Sequence, residues 1–235
     1  MDRFHGMRVA VTGGTSGLGL ALVREWRRRG ARVAFVARGR QRVERVARES
    51  GAHGIVGDVS LKSDIYPIAL QIAGELGGLD VLVNNASDLG PERLRLLADT
   101  DCEDLERALA VNLIGPFRLT RALLGALAAS ARDGRGAVVV NVSTDAAVNA
   151  YSTWGAYSAS KAALRHLSAI WDAELETEGV RFLSPDPGDM DTPLHAQAVP
   201  DADRAALKRP EAAAIEIIDA IAAALPSPAA QGSRR

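Results

Sequence analysis

Residues 9–22 are VAVTGGTSGLGLAL, an apolar run that passes through a glycine-rich turn into a stretch with helical spacing. Gly13, Gly17 and Gly19 are spaced G-x-x-x-G-x-G, a pattern that permits a tight turn, a close approach of backbone to a pyrophosphate, and close packing of helix on sheet. A glycine-rich turn can also occur without a ligand, but its position between a first strand and a first helix favours a phosphate site at the helix N-terminus. The predicted phosphate loop comprises Gly13, Thr15, Ser16, Gly17, Leu18 and Gly19.

Outward from this loop, apolar runs alternate with helical patterns as far as residue 225. The runs are nearly continuous, which is typical of strands buried on both faces of a parallel sheet. With right-handed crossovers, this order predicts an α/β fold: a doubly wound, Rossmann-like parallel sheet of six to seven strands flanked by helices on both faces. Strands are predicted over 7–14, 31–38, 53–59, 79–86, 136–144 and 180–188. Helices are predicted over 18–30, 40–50, 61–77, 101–130 with a break near 115–116, 155–178 and 210–225.

The composition limits the class of protein. The formal net charge of the 235 residues is -1, so no overall basic field attracts nucleic acid or an anionic membrane. No run approaches the ~20 apolar residues that span a bilayer, and no secretory apolar core precedes the glycine loop. Cys102 is the single cysteine, which excludes an internal disulfide and a cysteine metal cluster. We expect a cytoplasmic protein without a metal, with one domain over 1–225 and a flexible tail at 226–235.

The ends of the next strands indicate the nucleotide. The second strand ends at the small Ala37, and Arg38 follows it. NAD-binding folds place an acidic side chain at this strand end, where it binds the ribose hydroxyls, whereas a nearby arginine accommodates a 2′-phosphate. NADP(H) is therefore predicted in preference to NAD(H). A solvated arginine at a strand end is the alternative. Asp58 is placed either to accept a hydrogen bond from an adenine amino group or to form a turn. Adjacent Asn84 and Asn85 either pin neighbouring strands or line the cofactor.

Residues 157–161 are YSASK, which places Tyr157 and Lys161 on one face of a helix at i and i+4. An ammonium near a phenol favours the phenolate and would lower the tyrosine pKa from ~10, which would allow proton exchange near neutral pH. Alone, the pair is most simply an ordinary contact on a helix surface. Its helix, however, follows a strand that ends in the hydroxyls of Ser143 and Thr144, and doubly wound sheets bind ligands at the carboxyl ends of their strands. The sequence therefore indicates a proton-transfer site at that edge.

Seven motifs in a fixed order make the chain resemble the short-chain dehydrogenase/reductase family, in its short, single-domain branch. They are TGGTSGLG (12–19), DV (58–59), NNA (84–86), VNLIGPF (111–117), ST (143–144), YSASK (157–161) and PGDMDT (187–192). The resemblance implies an oxidoreductase that interconverts a small carbonyl compound and an alcohol with a nicotinamide cofactor. It also implies a homodimer or homotetramer in which the helices of 101–130 and 155–178 pack against partner subunits.

The resemblance further implies roles for matching residues. Tyr157 would be the general acid or base, Lys161 would lower its pKa and hold the nicotinamide ribose, and Asn112 would anchor a water in a proton relay. The family's substrate-binding serine lies thirteen residues before the tyrosine, which selects Thr144, with Ser143 as the alternative, and neighbouring strand residues point to opposite faces. An amide that caps or kinks a helix is the alternative for Asn112. The implied cofactor contacts also include Val59, Asn84, Ala86, Pro187, Gly188, Met190 and Thr192.

The substrate side has weaker signals. Ser87 stands where the family usually has glycine, and Asp145 either lines the pocket or forms a turn. Residues 193–209 occupy the position of the family's mobile lid. Candidate walls of the substrate pocket are Asp145, Tyr151, Trp154, Met190, Leu194 and His195.

Two other classes of protein are compatible with parts of the sequence. Because Thr144 and Ser87 depart from the family pattern, a cofactor-binding sensor or scaffold without turnover is the main alternative. An epimerase or dehydratase of the extended branch would need another glycine spacing and an added substrate domain, for which too few residues follow Thr192.

Overall fold

Six parallel strands form one twisted sheet in the computed structural model, which describes residues 3–226. Their order is β3-β2-β1-β4-β5-β6, so the chain winds outward in both directions from β1. The strands are β1 (Arg8–Thr12), β2 (Arg32–Ala37), β3 (His53–Val56), β4 (Val81–Asn84), β5 (Ala137–Asn141) and β6 (Val180–Leu183). The predicted doubly wound α/β fold is confirmed, with six strands. The tail proposed from residue 226 lies, apart from its first residue, outside the described part of the chain.

Helices cover both faces of the sheet. One face packs against α1 (Gly17–Arg28), α2 (Arg40–Ser50) and α8 (Pro210–Ala224). The other packs against α3 (Lys62–Leu76), α5 (Gly115–Arg132) and α6 (Gly155–Leu175). The remaining helices are α4 (Cys102–Leu109) and α7 (Pro193–Ala198).

The central strand shows why the apolar runs are continuous. Val9 and Val11 of β1 belong to the core on the α1 side, whereas Ala10 between them belongs to the core on the α3 side, and all three are 0% exposed. Successive side chains of a strand point to opposite faces. Because both faces are covered, each position must be apolar, and the strands lose the alternating pattern of a half-exposed sheet.

The predicted helix over 101–130 is two helices joined by a π-helical turn, Ala110–Ile114. Pro116 stands in the first turn of α5, directly after the π-helical turn, and it has no N–H to donate to that preceding turn. A Cβ on Gly115 would lie 2.7 Å from the carbonyl oxygen of Val59, so glycine permits the helix to approach that loop. The break predicted near 115–116 is therefore found, and its form is a widened turn rather than an interruption.

Several elements differ from the predicted boundaries. Strands β3, β5 and β6 end three or more residues earlier than predicted, and β4 ends two residues earlier. The last residues predicted for each strand instead belong to the loops that line the site. The short helix α7 and the 3-10 turn Asp145–Ala147 were not predicted. Both are too short to show a helical period in a sequence.

Candidate active site

A cleft of about 650 Å³ lies at the carboxyl ends of the strands, where the strand order reverses between β1 and β4. Ligands of doubly wound sheets bind at such a point. Residues 13 and 15–18 and the ends of β2 and β3 line one end of the cleft. Residues 85–89 and 142–145, with Trp154, Tyr157 and Lys161, line the other. The segment 186–198 also borders it, so the predicted phosphate loop and the predicted proton-transfer site share one groove.

The phosphate loop has the backbone that its glycines allow. Gly13 and Gly17 have φ values of 71° and 49°, in the left-handed region where residues with a Cβ are strained. A Cβ on Gly19 would overlap the Gly13 carbonyl oxygen and the Asn85 amide. The Ser16 side chain does not cap α1, so the first N–H groups of the helix are left to a ligand. Gly13, Thr15, Ser16, Gly17 and Leu18 line the cleft, whereas Gly19 serves the packing beneath it.

The two asparagines after β4 have different roles. Asn84 is 2% exposed, does not line the cleft, and donates from Nδ2 to Asn141 Oδ1 (2.8 Å) and Thr120 Oγ1 (3.2 Å). This position contradicts the prediction that Asn84 contacts the cofactor. Asn84 instead pins β4 to β5, which was the alternative role predicted for the two asparagines. Asn85 lines the cleft and donates from Nδ2 to the Thr12 carbonyl oxygen at 2.9 Å. Of the two asparagines, Asn85 is therefore the one that lines the cleft.

Two arginines lie at the β2 end of the cleft. Arg38 and Arg42 are exposed and line it, and neither forms an ion pair with another residue among 3–226. Arg40, by contrast, is outside the cleft and lies 4.0 Å from Glu44. These two unpaired guanidinium groups give that end of the cleft a positive charge.

Asp58 and Val59 line the cleft beside them. Asp58 Oδ1 accepts hydrogen bonds from the backbone N–H (2.9 Å) and the hydroxyl (2.7 Å) of Ser60. The turn-forming reading of Asp58 is therefore correct, and its other carboxylate oxygen remains available on the cleft side.

Tyr157 is 8% exposed, and among the ionisable residues that line the cleft only Lys161 is more buried. The Tyr157 ring packs edge-on against Trp154, with 5.8 Å between the ring centroids. Burial raises the pKa of Tyr157 to about 12, because a phenolate loses hydration there. Hydrogen bonding by the hydroxyls of Ser87 and Thr144 lowers the pKa, and the carboxylates of Asp186 and Asp145 raise it. The phenol is therefore neutral at physiological pH in this structure.

Lys161 lies beside Tyr157 as the i, i+4 spacing predicts, with Nζ 5.7 Å from the centre of the phenol ring. It is 2% exposed, donates from Nζ to the Val142 carbonyl oxygen at 2.9 Å, and burial lowers its pKa to about 8. The expected lowering of the Tyr157 pKa is not found here. Desolvation is the largest cause of the shift, and the ammonium is directed at a backbone carbonyl.

Both hydroxyls at the end of β5 line the cleft. Thr144 Oγ1 accepts from the Ala146 N–H at 3.3 Å and donates to Asp145 Oδ1 at 3.2 Å. The Thr144 hydroxyl also lowers the pKa of the Tyr157 phenol. Ser143 is 6% exposed, and its hydroxyl has no hydrogen-bond partner in the described chain. Of these two hydroxyls, that of Thr144 acts on the Tyr157 phenol, and the choice between Thr144 and Ser143 as the substrate-binding hydroxyl stays a prediction.

Asn112 does not line the cleft and is 0% exposed within the π-helical turn. Its Oδ1 accepts from the Asp88 N–H (2.8 Å), and its Nδ2 donates to the Asp88 carbonyl (2.7 Å) and to Ser160 Oγ (2.9 Å). The two amide protons are thereby used within the protein. The side chain holds the loop after β4 in place, and the predicted water anchor would need a different atom of this residue.

An apolar cluster surrounds the phenol at the substrate end. It contains Leu89, Leu94, Ala146, Trp154, Tyr157, Leu194 and Ala198. Gln197 Nε2 of α7 donates to the Glu92 carbonyl at 3.1 Å, so α7 also touches the loop after β4. Of the candidate walls, Tyr151 lies outside the cleft, is exposed, and donates its hydroxyl to Asp145 Oδ2 at 2.6 Å.

The other predicted residues of this end are brought together. Asp145 both begins the 3-10 turn and lines the cleft, so the two readings of it hold at once. His195 lines the cleft with Nε2 3.7 Å from Asp189 Oδ1. The remaining predicted residues that line the cleft are Ala86, Pro187, Gly188, Met190, Thr192 and Leu194.

Sequence reasoning missed several lining residues: Asp88, Leu89, Asp186, Asp189 and Gln197. Asp189 lies within the motif PGDMDT, Asp186 directly precedes it, and Asp88 and Leu89 follow NNA by two and three residues. A loop that carries one motif residue into a cleft carries its neighbours there too, and this adjacency was the available signal. Gln197 lies in the segment 193–209 that was expected to form a lid, but the position of its side chain depends on the unpredicted helix α7.

Among residues 3–226, no helix combines the length and the apolar character needed to cross a membrane. The same residues contain no cluster of three or more histidine, cysteine or acidic side chains suited to a metal ion.

The fold and this cleft define a nucleotide-binding α/β protein, and comparison with known proteins identifies its family. The family model described as short chain dehydrogenase matches residues 7–203. The chain belongs to the short-chain dehydrogenase/reductase family.

Individual relatives agree. The chain is 33% identical over 189 residues to an uncharacterised oxidoreductase of Mycobacterium bovis. The aligned region covers 77% of this chain and 54% of that protein. It is 34% identical to a short chain dehydrogenase of Pseudocercospora fijiensis over 83% of this chain and 63% of that protein. The chain thus spans between about half and two thirds of the length of these relatives.

Solved structures are similar over most of their length. A short chain dehydrogenase from Shigella flexneri, complexed with NADP, has a TM-score of 0.81 and 25% identity over 89% of this chain and 88% of that one. A short chain dehydrogenase from Pseudomonas syringae has a TM-score of 0.82 and 28% identity over 99% and 93% of the two chains.

Proposed function

We propose that the protein is an NADP(H)-dependent oxidoreductase that transfers a hydride between nicotinamide and a carbonyl or secondary alcohol substrate, with Tyr157 as the general acid or base. The observation that carries the proposal is the buried phenol of Tyr157 at the apolar end of a groove whose other end is a glycine phosphate loop. Lys161 and the Thr144 hydroxyl lie beside that phenol. A phosphate loop without a proton donor would suit nucleotide binding alone.

The residues present fit a dinucleotide phosphate. The first N–H groups of α1 have no cap from Ser16 and are therefore free to bind an anion. Only glycine fits at position 13, because a Cβ there would meet the Asn85 amide at 2.9 Å. Gly13, Thr15, Ser16, Gly17 and Leu18 would hold the pyrophosphate. Arg38 and Arg42, unpaired at the β2 end, support a 2′-phosphate and therefore NADP(H). A Shigella flexneri relative of the same fold was solved with NADP.

When bound, the cofactor supplies or accepts the hydride; the chain supplies the proton and the position of the substrate. With a pKa near 12, Tyr157 holds its proton at neutral pH and can donate it to a substrate oxygen that gains negative charge. The hydroxyl of Thr144 would hydrogen-bond that same oxygen and orient it. Lys161, with a pKa of about 8, is mostly charged at neutral pH and would attract the cofactor ribose hydroxyls and the developing phenolate.

Turnover is the test of this proposal. Tyr157→Phe removes one oxygen atom from the site, and we expect it to abolish reduction of carbonyls and oxidation of alcohols while the dissociation constant for NADPH, measured by cofactor fluorescence, changes little. Retained turnover would remove Tyr157 from the mechanism. Tight NADPH binding without turnover of any carbonyl or alcohol by the wild-type protein would instead support the sensor or scaffold alternative.

Cofactor choice is measured in the same titration. NADPH should bind more tightly than NADH, and Arg38→Ala should reduce that preference, by about tenfold or more for a charge-assisted contact. Arg40→Ala is the matched control, because Arg40 lies on the neighbouring helix but outside the cleft. Equal binding of both cofactors by the wild-type protein would contradict the preference for NADP(H).

A further inference from the structure

We propose that Asp145 determines specificity at the substrate end of the cleft by binding a substrate ammonium group, so that the enzyme prefers amino ketones in reduction and amino alcohols in oxidation. This inference rests on the proposed function and names its substrate class. It starts from the hydroxyl of Thr144, whose single proton is already bonded within the protein.

The Thr144 hydroxyl has one proton and two lone pairs. It donates the proton to Asp145 Oδ1 at 3.2 Å, and one lone pair accepts the Ala146 N–H at 3.3 Å. A substrate carbonyl oxygen can only accept hydrogen bonds. Thr144 can therefore bind such an oxygen only when its proton turns away from Asp145.

Asp145 loses a hydrogen bond when the Thr144 proton turns to a substrate. Its Oδ2 accepts the Tyr151 hydroxyl at 2.6 Å, and within the described chain Thr144 is the only donor to its Oδ1. Asp145 is exposed, so water can bond the freed oxygen. An ammonium group of the substrate would form a stronger, charge-assisted hydrogen bond there. A substrate that carries such a group thus releases the Thr144 proton at a smaller cost.

Among the described residues, no cation forms an ion pair with Asp145. The side chains at this end of the cleft that are or can become cationic are directed elsewhere. Lys161 Nζ donates to a backbone carbonyl oxygen at 2.9 Å, and His195 Nε2 lies 3.7 Å from Asp189 Oδ1. The positive charge that would complement the Asp145 carboxylate is therefore left for a ligand to supply.

The backbone holds Asp145 at the edge of the substrate end. Asp145 begins the 3-10 turn after β5, and its carbonyl oxygen accepts the N–H groups of Val148 and Asn149, both at 2.9 Å. The next residue, Ala146, is 5% exposed and belongs to the apolar cluster that contains Tyr157. Asp145 itself lines the cleft. Its carboxylate is therefore presented to the substrate by an ordered turn, as a binding group that discriminates between substrates requires.

The distance between the two protein atoms indicates where the substrate nitrogen lies. Thr144 Oγ1 and Asp145 Oδ1 are 3.2 Å apart. A carbonyl oxygen bound to the first and a nitrogen bound to the second are therefore close neighbours, as they are in an α- or β-amino ketone. The ammonium group takes the place of the Thr144 proton on Asp145, and Thr144 donates to the carbonyl oxygen. Asp145 takes no part in the transfer of the hydride or of the proton.

The test compares cationic ketones with neutral ketones of the same shape, at a pH below the pKa of the amines. We would measure kcat/KM with NADPH for 1-methyl-4-piperidone against 4-methylcyclohexanone, and for 1-(dimethylamino)propan-2-one against 4-methyl-2-pentanone. Because an amino group changes the intrinsic reactivity of a ketone, the measured quantity is the change in each ratio, cationic over neutral, on Asp145→Ala. We expect both ratios to fall by about tenfold, as for the loss of one charge-assisted hydrogen bond at an exposed site. Added salt should lower the wild-type ratios.

Coupling to Thr144 separates this role from a structural one. Asp145→Ala releases the Thr144 proton, so kcat/KM for the two neutral ketones should rise a few-fold. In the Thr144→Val background the same substitution should give no rise. If Asp145→Ala lowers kcat/KM equally for all four ketones, Asp145 only supports the turn and the proposed substrate class is wrong.

Two variants serve as matched controls. Asp189→Asn removes the same charge from the cleft, but the Asp189 side chain is 83% exposed and has no hydrogen bond to Thr144 in the described chain. Tyr151→Phe removes the other hydroxyl that Asp145 accepts, from outside the cleft. Each should leave the ratios within about twofold of wild type, as for an exposed group. If Asp189→Asn lowers the ratios as much as Asp145→Ala, the general negative charge selects the substrate and the assignment to Asp145 is wrong.

Binding separates this inference from the proposed function. In the Tyr157→Phe variant saturated with NADPH, calorimetry should show tighter binding of 1-methyl-4-piperidone than of 4-methylcyclohexanone, and Asp145→Ala in that background should remove the difference. Such a preference in a wild-type protein without turnover would refute the proposed activity and keep the Asp145 site. Equal affinities, or no binding of the cationic ketone, would refute the Asp145 site whatever the turnover.

Discussion

Burial controls the chemistry of the residues at the substrate end of the cleft. Tyr157 and Lys161 are nearly fully buried, and desolvation raises the pKa of the phenol and lowers that of the ammonium, so each is shifted towards its neutral form. The sequence predicted only the attraction between the two charges. In the folded protein the loss of water outweighs that attraction, and Tyr157 is suited to donate a proton rather than to accept one.

The Tyr157 pKa has a measurable consequence. Its pKa of about 12 in the folded chain lies above the ordinary value of 10.0, so well below pH 10 Tyr157 is protonated in both the folded and the unfolded state. Stability is lost as pH rises through 10 towards 12. In the cofactor-free protein, the rise in ultraviolet phenolate absorbance up to about pH 11 should therefore be the same for wild type and Tyr157→Phe. A smaller rise in the variant would show that Tyr157 ionises at an ordinary pH.

The roles of the two hydroxyls after β5 can be separated. Thr144→Val keeps the shape of the side chain and removes its hydroxyl, and we expect kcat/KM to fall by about 10²–10³, as for the loss of one group that orients or stabilises the reacting oxygen. Ser143→Ala should change kcat/KM only a few-fold. The reverse order of these two effects would assign the substrate oxygen to Ser143.

At the scale of elements, the glycine loop ties β1, α1 and the end of β4 together. A Cβ on Gly19 would overlap the carbonyl oxygen of Gly13 and lie 2.5 Å from the Asn85 amide nitrogen, so α1 could no longer pack at its present distance. We expect Gly19→Ala to lower the free energy of unfolding by about 1–3 kcal/mol, the usual cost of overpacking, and to weaken NADPH binding.

Gly125→Ala is the control for that substitution. Gly125 lies within α5, and a Cβ there meets no atom within 4 Å. Alanine has the higher helix propensity, so Gly125→Ala should stabilise the protein by about 0.5–1 kcal/mol. Denaturant unfolding measures both variants, and a neutral Gly19→Ala would show that the loop can relax.

At the scale of the whole molecule, apolar side chains remain exposed on the helices that are expected to meet partner subunits. Ile114, Phe117 and Ile170 are 37%, 37% and 42% exposed. We expect a native mass of two or four chains in solution, and Ile170→Glu should reduce this mass. Leu70 on α3 is 75% exposed and serves as the control, so Leu70→Glu should leave the native mass unchanged. A monomeric wild-type protein in analytical ultracentrifugation would contradict the expected assembly.

The sequence by itself determined the sheet, its parallel winding and most of the cleft. Continuous apolar strands, the glycine spacing and the i, i+4 pair are local signals, and a parallel sheet brings the carboxyl ends of its strands to one edge whatever the details of packing. The sequence alone could therefore place Gly13, Thr144, Tyr157 and Lys161 along one edge of the sheet.

The tertiary structure alone decided which polar side chains face the cleft and what they cost to bury. Asn84 donates to Asn141 within the sheet, Asn85 lines the cleft, and Asn112 closes on the backbone of Asp88. These outcomes depend on contacts between residues that are far apart in the chain and on desolvation, and neither quantity is present in residue spacing.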